Sequence, residues 1–168
     1  MFQALLLSFF ISAAVALLVI KLSPKLGLLD NPKKRQHPAT LHITPLSRGG
    51  GIPIFAALVV SSLIFMDYSP MVVGLILGSA LILLIGIMDD RRDLSPVLRL
   101  FINTVTGLIL VLSGVVISFL TNPFGGIIEF GQFGLVGIPI LAWGATIAWI
   151  VFTTNAVSWS SGVDGQLA

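Results

Sequence analysis

The stretch "GSALILLIGIMDDRRDLSP", Gly78–Pro96, decides how the chain is to be read. Gly78 to Met88 carry no charge, and then Asp89, Asp90, Arg91, Arg92 and Asp93 follow without a break. An apolar run that ends in consecutive charges is a segment leaving hydrocarbon for water. Extended backwards, the uncharged run reaches Tyr68, which makes it long enough for the roughly 20-residue helix that crosses a bilayer core.

The pattern recurs. Met1–Ile20, Gly49–Met66, Leu100–Ile128 and Phe130–Val163 also lack Asp, Glu, Lys, Arg and His. Only 16 of 168 residues are charged and 56% are hydrophobic, against about a quarter charged in a soluble domain. The expected fold class is therefore an all-α integral membrane protein with about five transmembrane helices, forming a single polytopic domain over 1–168. Gly49–Met66 is the shortest of the five stretches, and the last two have apolar cores shorter than their uncharged spans. The first stretch has no basic residues before it and meets Lys21 and Lys25 where a small-residue cleavage site would stand, so it reads as a retained helix. The absence of Cys excludes disulfides and thiolate metal sites.

Five crossings alternate the loops. All nine Lys and Arg (Lys21, Lys25, Lys33, Lys34, Arg35, Arg48, Arg91, Arg92, Arg99) then fall on one side and none on the other. The positive-inside rule makes that side cytoplasmic, with the N-terminus outside and the C-terminus inside, in a multi-pass plasma-membrane protein. Five of the seven acids and both histidines share that face. No nucleic-acid partner is expected. On the outer side, "NPFGGIIEFGQFG", Asn122–Gly134, alternates weakly between glycines and reads as a short β-hairpin or an irregular connector.

Three segments distant in sequence meet on the cytoplasmic face. The first is the corner itself. A helix over Tyr68–Met88 places Asp89 and Asp90 at its C-terminus, where the macrodipole disfavours anions by some tenths of a kcal/mol each, and adjacent carboxylates repel unless a cation or shared proton relieves them. They either solvate a helix end or hold a hard cation. Mg²⁺ takes one or two carboxylates together with waters and phosphate oxygens, and Mn²⁺ can replace it. If the helix persists, Asp93 lies on the face of Asp89.

The second segment is "LLDNPKKRQHPATLHITPLSRGGG", Leu28–Gly51, which three prolines and a glycine triplet mark as a loop. Its Lys33, Lys34, Arg35, His37, His42 and Arg48 suit phosphate oxygens or, alternatively, anionic headgroups. Arg48 before Gly49, Gly50 and Gly51 at a helix start is more pointed, because bare N–H groups there favour anions; glycines also pack membrane helices. The third segment is "NAVSWSSGVDG", with Asn155, Ser158, Ser160, Ser161 and Asp164 gathered after an apolar helix. These groups fit either an exposed loop or sugar, metal and pyrophosphate contacts.

Together the three segments resemble the polyprenyl-phosphate N-acetylhexosamine-1-phosphate transferases and, more distantly, phospho-MurNAc-pentapeptide transferase. Asp89-Asp90-x-x-Asp93 looks like the family's aspartate-rich corner after the third helix. Asp30-x-Pro32 with its basic run, then His42-x-x-Pro45-x-x-Arg48-x-Gly50-Gly51, looks like the first cytoplasmic loop. Asn155-Ala156 to Asp164-Gly165 looks like the family's Asn-Ala-x-Asn-x-x-Asp-Gly-x-Asp-Gly motif, with serine at Ser158 and Ser161 where Asn and the first Asp are usual.

The resemblance implies transfer of a sugar 1-phosphate from a UDP-sugar to a polyprenyl phosphate, with release of UMP, for cell-envelope glycans such as O-antigen or teichoic acid. It implies Asp89 and Asp90 as catalytic residues. Arg48, Gly50, Gly51, His42, Asn155 and Asp93 would bind substrate, and Asp89, Asp90 and Asp164 would hold Mg²⁺. A homodimer is compatible with it. The family's chains continue with further helices, so this sequence is expected to be the N-terminal half of a longer transferase. The other readings are an inactive membrane subunit, a small-solute transporter, and a CDP-alcohol phosphatidyltransferase, whose motif begins like Asp164–Ala168.

Overall fold

The computed structural model describes residues 2–30, 46–47, 49–92, 94–131, 134 and 139–160. Five helices carry the chain: α1 (Phe2–Leu26), α2 (Gly51–Phe65), α3 (Pro70–Arg92), α4 (Pro96–Leu112) and α5 (Ile140–Ser160). Strands β1 (Leu29–Asp30) and β2 (Leu46–Ser47) pair antiparallel between α1 and α2, and β3 (Phe119–Thr121) pairs with β4 (Ile127–Glu129) between α4 and α5.

The helix count agrees with the five uncharged stretches, but the helices are of two kinds. Three spans, Phe2–Leu26, Pro70–Arg92 and Ile140–Ser158, are long and apolar enough to cross a membrane. The 15 residues of α2 and 17 of α4 extend about 22 and 25 Å at 1.5 Å per residue, short of a hydrocarbon core of about 30 Å.

The bounds of α4 are set by its caps, which extend it at the start and cut it short at the end. Ser95 accepts a hydrogen bond from Leu98 N–H at 3.3 Å, and Pro96 opens the helix, so it begins before Arg99 instead of after it. At the other end Gly114 takes φ +91°; its N–H bonds Val111 O and Val115 N–H bonds Leu110 O, the paired bonds of a Schellman cap. Leu100–Ile128 is thus one uncharged stretch but only half a helix.

Contacts fix the relative directions. In α1 and α2, the Oγ atoms of Ser8 and Ser61 share a hydrogen bond at 2.6 Å, while a Cβ on Gly49, just before α2, would meet Val19 Cγ1 at 2.5 Å. One number rises as the other falls, so the pair is antiparallel. The same holds for α3 and α4, where Gly74 abuts Ser113, Gly78 abuts Thr106 and Leu110, and Asp89 pairs with Arg99. The C-terminal ends of α1 and α3 meet through Arg91 and Leu26 O. The ends of α1 and α3 and the starts of α2 and α4 therefore gather at one end of the bundle.

Large side chains face outwards. Phe9, Phe10, Leu17, Ile54, Leu84 and Phe101 are all exposed, while Ala57, Ser62, Thr106, Ala142 and Thr146 are buried. This is the pattern of helices packed in lipid, where small residues permit close approach. At Gly107 a Cβ would lie 3.2 Å from Ile147 Cα, so backbone meets backbone between α4 and α5.

A hairpin forms here, but it sits earlier than Asn122–Gly134. Asn122 opens its turn instead of its first strand: Oδ1 accepts from Phe124 N–H at 3.0 Å, and Gly125 and Gly126 adopt φ of +110° and +85°. The ladder therefore starts at Phe119. The β1–β2 ladder, Leu29 opposite Ser47 and Asp30 opposite Leu46, lies within the segment read as a loop and closes its two ends together.

Replacing Gly107 by Leu should force α4 from α5 and cost about 1–3 kcal/mol. Thermal unfolding in detergent should show a lower midpoint for Gly107→Leu and none for Gly144→Ala, whose added methyl enters open space.

Candidate active site

Asp89 and Asp90 occupy the last turn of α3, both half-buried, with Arg91 and Arg92 beside them. Those two cations offset the unfavourable dipole that the carboxylates meet at a helix C-terminus. Asp89 is held more closely. Its Oδ1 accepts from Leu94 N–H at 2.9 Å and forms an ion pair with Arg99 Nη2 at 3.0 Å, while Arg99 Nε and Nη2 donate to Leu94 O at 3.3 and 3.1 Å. Both backbone groups of Leu94 are thereby used, and the α3–α4 corner is closed by one carboxylate and one guanidinium.

The side chains of Asp89 and Arg99 are 25% and 38% exposed, so the ion pair alone contributes at most about 1 kcal/mol. Its greater effect is orientation: Oδ1 is engaged, and Oδ2 makes no hydrogen bond among the described residues. Arg99 is the residue that sequence reasoning missed, since it was counted only among the charges that set sidedness. The Ser95-Pro96 start signal could have placed it in the first turn of α4, facing back to the corner.

The glycine triplet approaches from a second direction. Gly49 is buried against α1, whereas Gly50 and Gly51 are exposed at the start of α2. Gly50 is the N-cap and offers no capping side chain; Ile52 N–H donates to Gly49 O at 3.1 Å and Pro53 has no N–H, so within the first three residues of α2 only the Gly51 N–H is left without a helix or cap partner among the described residues. A Cβ on Gly51 would meet Leu83 of α3 at 3.1 Å. Leu83 precedes Asp90 by two helical turns, about 10 Å, which brings the triplet and the carboxylates to the same end of α3.

Asn155 is half-buried in α5, and its Nδ2 donates to Val151 O at 2.7 Å on its own helix. From the Gly107–Ile147 crossing, Asn155 lies eight residues further along α5 and Arg99 eight residues earlier in α4. An antiparallel pair would set them at one level. His42, Arg48, Asp93 and Asp164, together with Lys33, Lys34, Arg35, His37 and Ser161, lie outside the described residues. Among the described residues no three His, Asp or Glu side chains gather to hold a metal, and the Asp89–Asp90 pair is the donor set that remains. Two adjacent carboxylates, one with an unengaged oxygen, fit a hard divalent ion that completes its shell with water and phosphate.

Helices alternating in direction, with a carboxylate pair, a clasping arginine and a glycine-rich helix start gathered at one end, define a helical membrane protein with a polar end. The family model for glycosyl transferase family 4 matches residues 72–168, and the chain belongs to that family. It is 28% identical over 152 residues to the probable undecaprenyl-phosphate N-acetylglucosaminyl 1-phosphate transferase of Bacillus subtilis (strain 168), covering 90% of this chain and 39% of that protein. To the undecaprenyl-phosphate alpha-N-acetylglucosaminyl 1-phosphate transferase of Yersinia pestis it is 29% identical over 161 residues, 95% of this chain and 41% of the relative. The decaprenyl-phosphate N-acetylglucosaminephosphotransferase of Mycobacterium tuberculosis (strain CDC 1551 / Oshkosh) is 27% identical over 158 residues, 88% and 36% of the two chains. The chain thus spans about two fifths of the length of these relatives. No solved structure matches it.

Arg99→Gln should leave Asp89 with the Leu94 N–H alone and loosen the corner. The expected loss is about 0.5–1 kcal/mol, read as a small fall in thermal midpoint that is no larger at high salt than at low, since the wild-type pair is what salt weakens.

Proposed function

We propose that this chain contributes the carboxylate corner of an enzyme that transfers N-acetylhexosamine 1-phosphate from a UDP-sugar to a polyprenyl phosphate in cell-envelope synthesis, at the cytoplasmic face of the plasma membrane. The observation that carries the reading is the oriented Asp89–Asp90 pair at the end of the bundle where the first loop is rooted. The family membership supports it, as do the relatives' printed names, which pair undecaprenyl or decaprenyl phosphate with N-acetylglucosamine 1-phosphate. The sidedness follows from the nine Lys and Arg.

In the proposed reaction an oxygen of the lipid phosphate forms a bond to the β-phosphorus of the UDP-sugar. The bond from that phosphorus to the oxygen bridging the two phosphates breaks, and UMP leaves with the electron pair. Such transfers depend chiefly on positioning and on neutralising charge over the phosphoryl oxygens. Asp89 and Asp90, with Asp164, would hold Mg²⁺, which when bound supplies that neutralisation. Arg99 keeps the Asp89 carboxylate turned into the corner. The exposed Gly50 and Gly51 backbone at the start of α2, with Arg48, would steady a phosphate, and Asn155, His42 and Asp93 would line the remaining contacts.

Asp89→Asn keeps an oxygen for Leu94 N–H but loses the charge. In the complete polypeptide reconstituted with polyprenyl phosphate and UDP-N-acetylglucosamine, UMP release should fall on the order of 10²–10³-fold with little change in thermal midpoint. Chelation should abolish the release and added Mg²⁺ restore it. Turnover by Asp89→Asn near the wild-type rate would sink the assignment.

A further inference from the structure

Helix α1 ends in a way that leaves one carbonyl for another helix to use. Pro24 has no N–H, so Ile20 O loses its usual partner four residues on. The buried Ser23 hydroxyl donates to Ile20 O at 2.8 Å instead. Gly27, at φ +68°, turns the chain so that Leu28 N–H bonds Ser23 O at 3.0 Å, and Leu28 is buried over the end. This is the six-to-one bond of a Schellman cap. Leu26 O is among the last four carbonyls, which a helix cannot satisfy itself. Arg91 Nη2, from α3, donates to it at 2.8 Å.

The connection has an unusual location. Arg91 follows directly on Asp89 and Asp90, and Leu26 stands three residues before β1. β1 pairs with β2, which leads through Arg48 to the glycine start of α2. One charge-assisted hydrogen bond between residues 65 apart in sequence therefore joins the end of α1, and through it the β1–β2 ladder, to the carboxylate corner. The guanidinium also meets the negative end of the α1 dipole. Arg92, adjacent and equally charged, makes no hydrogen bond among the described residues, so a need for positive charge on this face does not account for Arg91.

We propose that Arg91 is a positioning residue that sets the end of α1, and with it the β1–β2 ladder, against the Asp89–Asp90 pair by capping the Leu26 carbonyl. The consequence for turnover rests on the transferase reading above; the tie itself does not.

The test uses Arg91→Gln, Arg91→Lys and Arg92→Gln in the complete polypeptide in lipid nanodiscs, read by hydrogen exchange and by UMP-release kinetics. Arg91→Gln should speed exchange of the backbone amides in Gly27–Asp30 and Ser47–Ile52 several-fold. It should lower kcat by roughly tenfold to a hundredfold while KM for the UDP-sugar stays within about twofold. Arg91→Lys, which can still donate to a carbonyl, should recover much of both, and Arg92→Gln should change neither. Equal exchange in Arg91→Gln and Arg92→Gln would overturn the tie. A rise in KM with kcat unchanged would also overturn it, because Arg91 would then act on substrate directly. If the wild-type polypeptide releases no UMP, the transferase reading fails and the exchange comparison still decides the tie.

Discussion

In lipid, apolar side chains gain nothing by leaving the solvent for one another, so helices are held together by close contact and by the few polar groups they share. That constraint accounts for the inverted character of this bundle. Its exposed surface is Leu, Ile, Val and Phe, and its contacts are Gly, Ser, Thr and Ala. The hydroxyls that replace a hydrophobic driving force are tied down: Ser8 to Ser61 between α1 and α2, Ser113 to Ile109 O, Thr146 to Ala142 O. Thr106 differs, fully buried beside Gly78 with no partner for its Oγ1 among the described residues. Its methyl packs against the glycine, which gives the residue a role in fit that its hydroxyl does not share.

The same constraint pushes the charges to the ends of the helices, and the directions of α1 to α4 then collect them. Because α1 and α3 finish where α2 and α4 begin, Asp89, Asp90, Arg91, Arg99 and the glycine triplet become neighbours without any helix interior having to carry a charge. The two arginines divide the work. Arg99 closes the corner locally through Leu94, and Arg91 reaches across to α1.

Much of this was legible in the sequence where the signal was long. Five helices followed from uncharged stretches, because expelling charge from hydrocarbon is a requirement on every residue of a span. The carboxylate pair was legible for the same reason, as charges placed where a helix leaves the membrane. Boundaries were less so: the cap at Ser95 and the Gly114 turn shortened α4 at one end and extended it at the other, and an Asx turn at Asn122 moved the hairpin. The two-residue ladder of β1 and β2 is too short to leave any periodicity. Arg99 and Arg91 were missed as individuals because a basic residue near a membrane has a sufficient reason to be there, and only geometry separates a topogenic charge from one with a partner. Asn155 showed the converse, a polar residue whose side chain is engaged with its own helix.

The fold-back after α4 carries an implication for how the sequence can drift. With α4 ending early, the connector that follows it runs beside α5, and Ile117 N–H finds its partner in Thr146 Oγ1 at 2.8 Å, a side chain six residues inside α5 and only 3% exposed. Non-helical backbone at that depth is tolerated only when its donors are met by protein. Position 146 is therefore bound by chemistry where its neighbours are bound by size: serine can replace threonine there, while valine, the same shape, would leave the Ile117 amide without its partner.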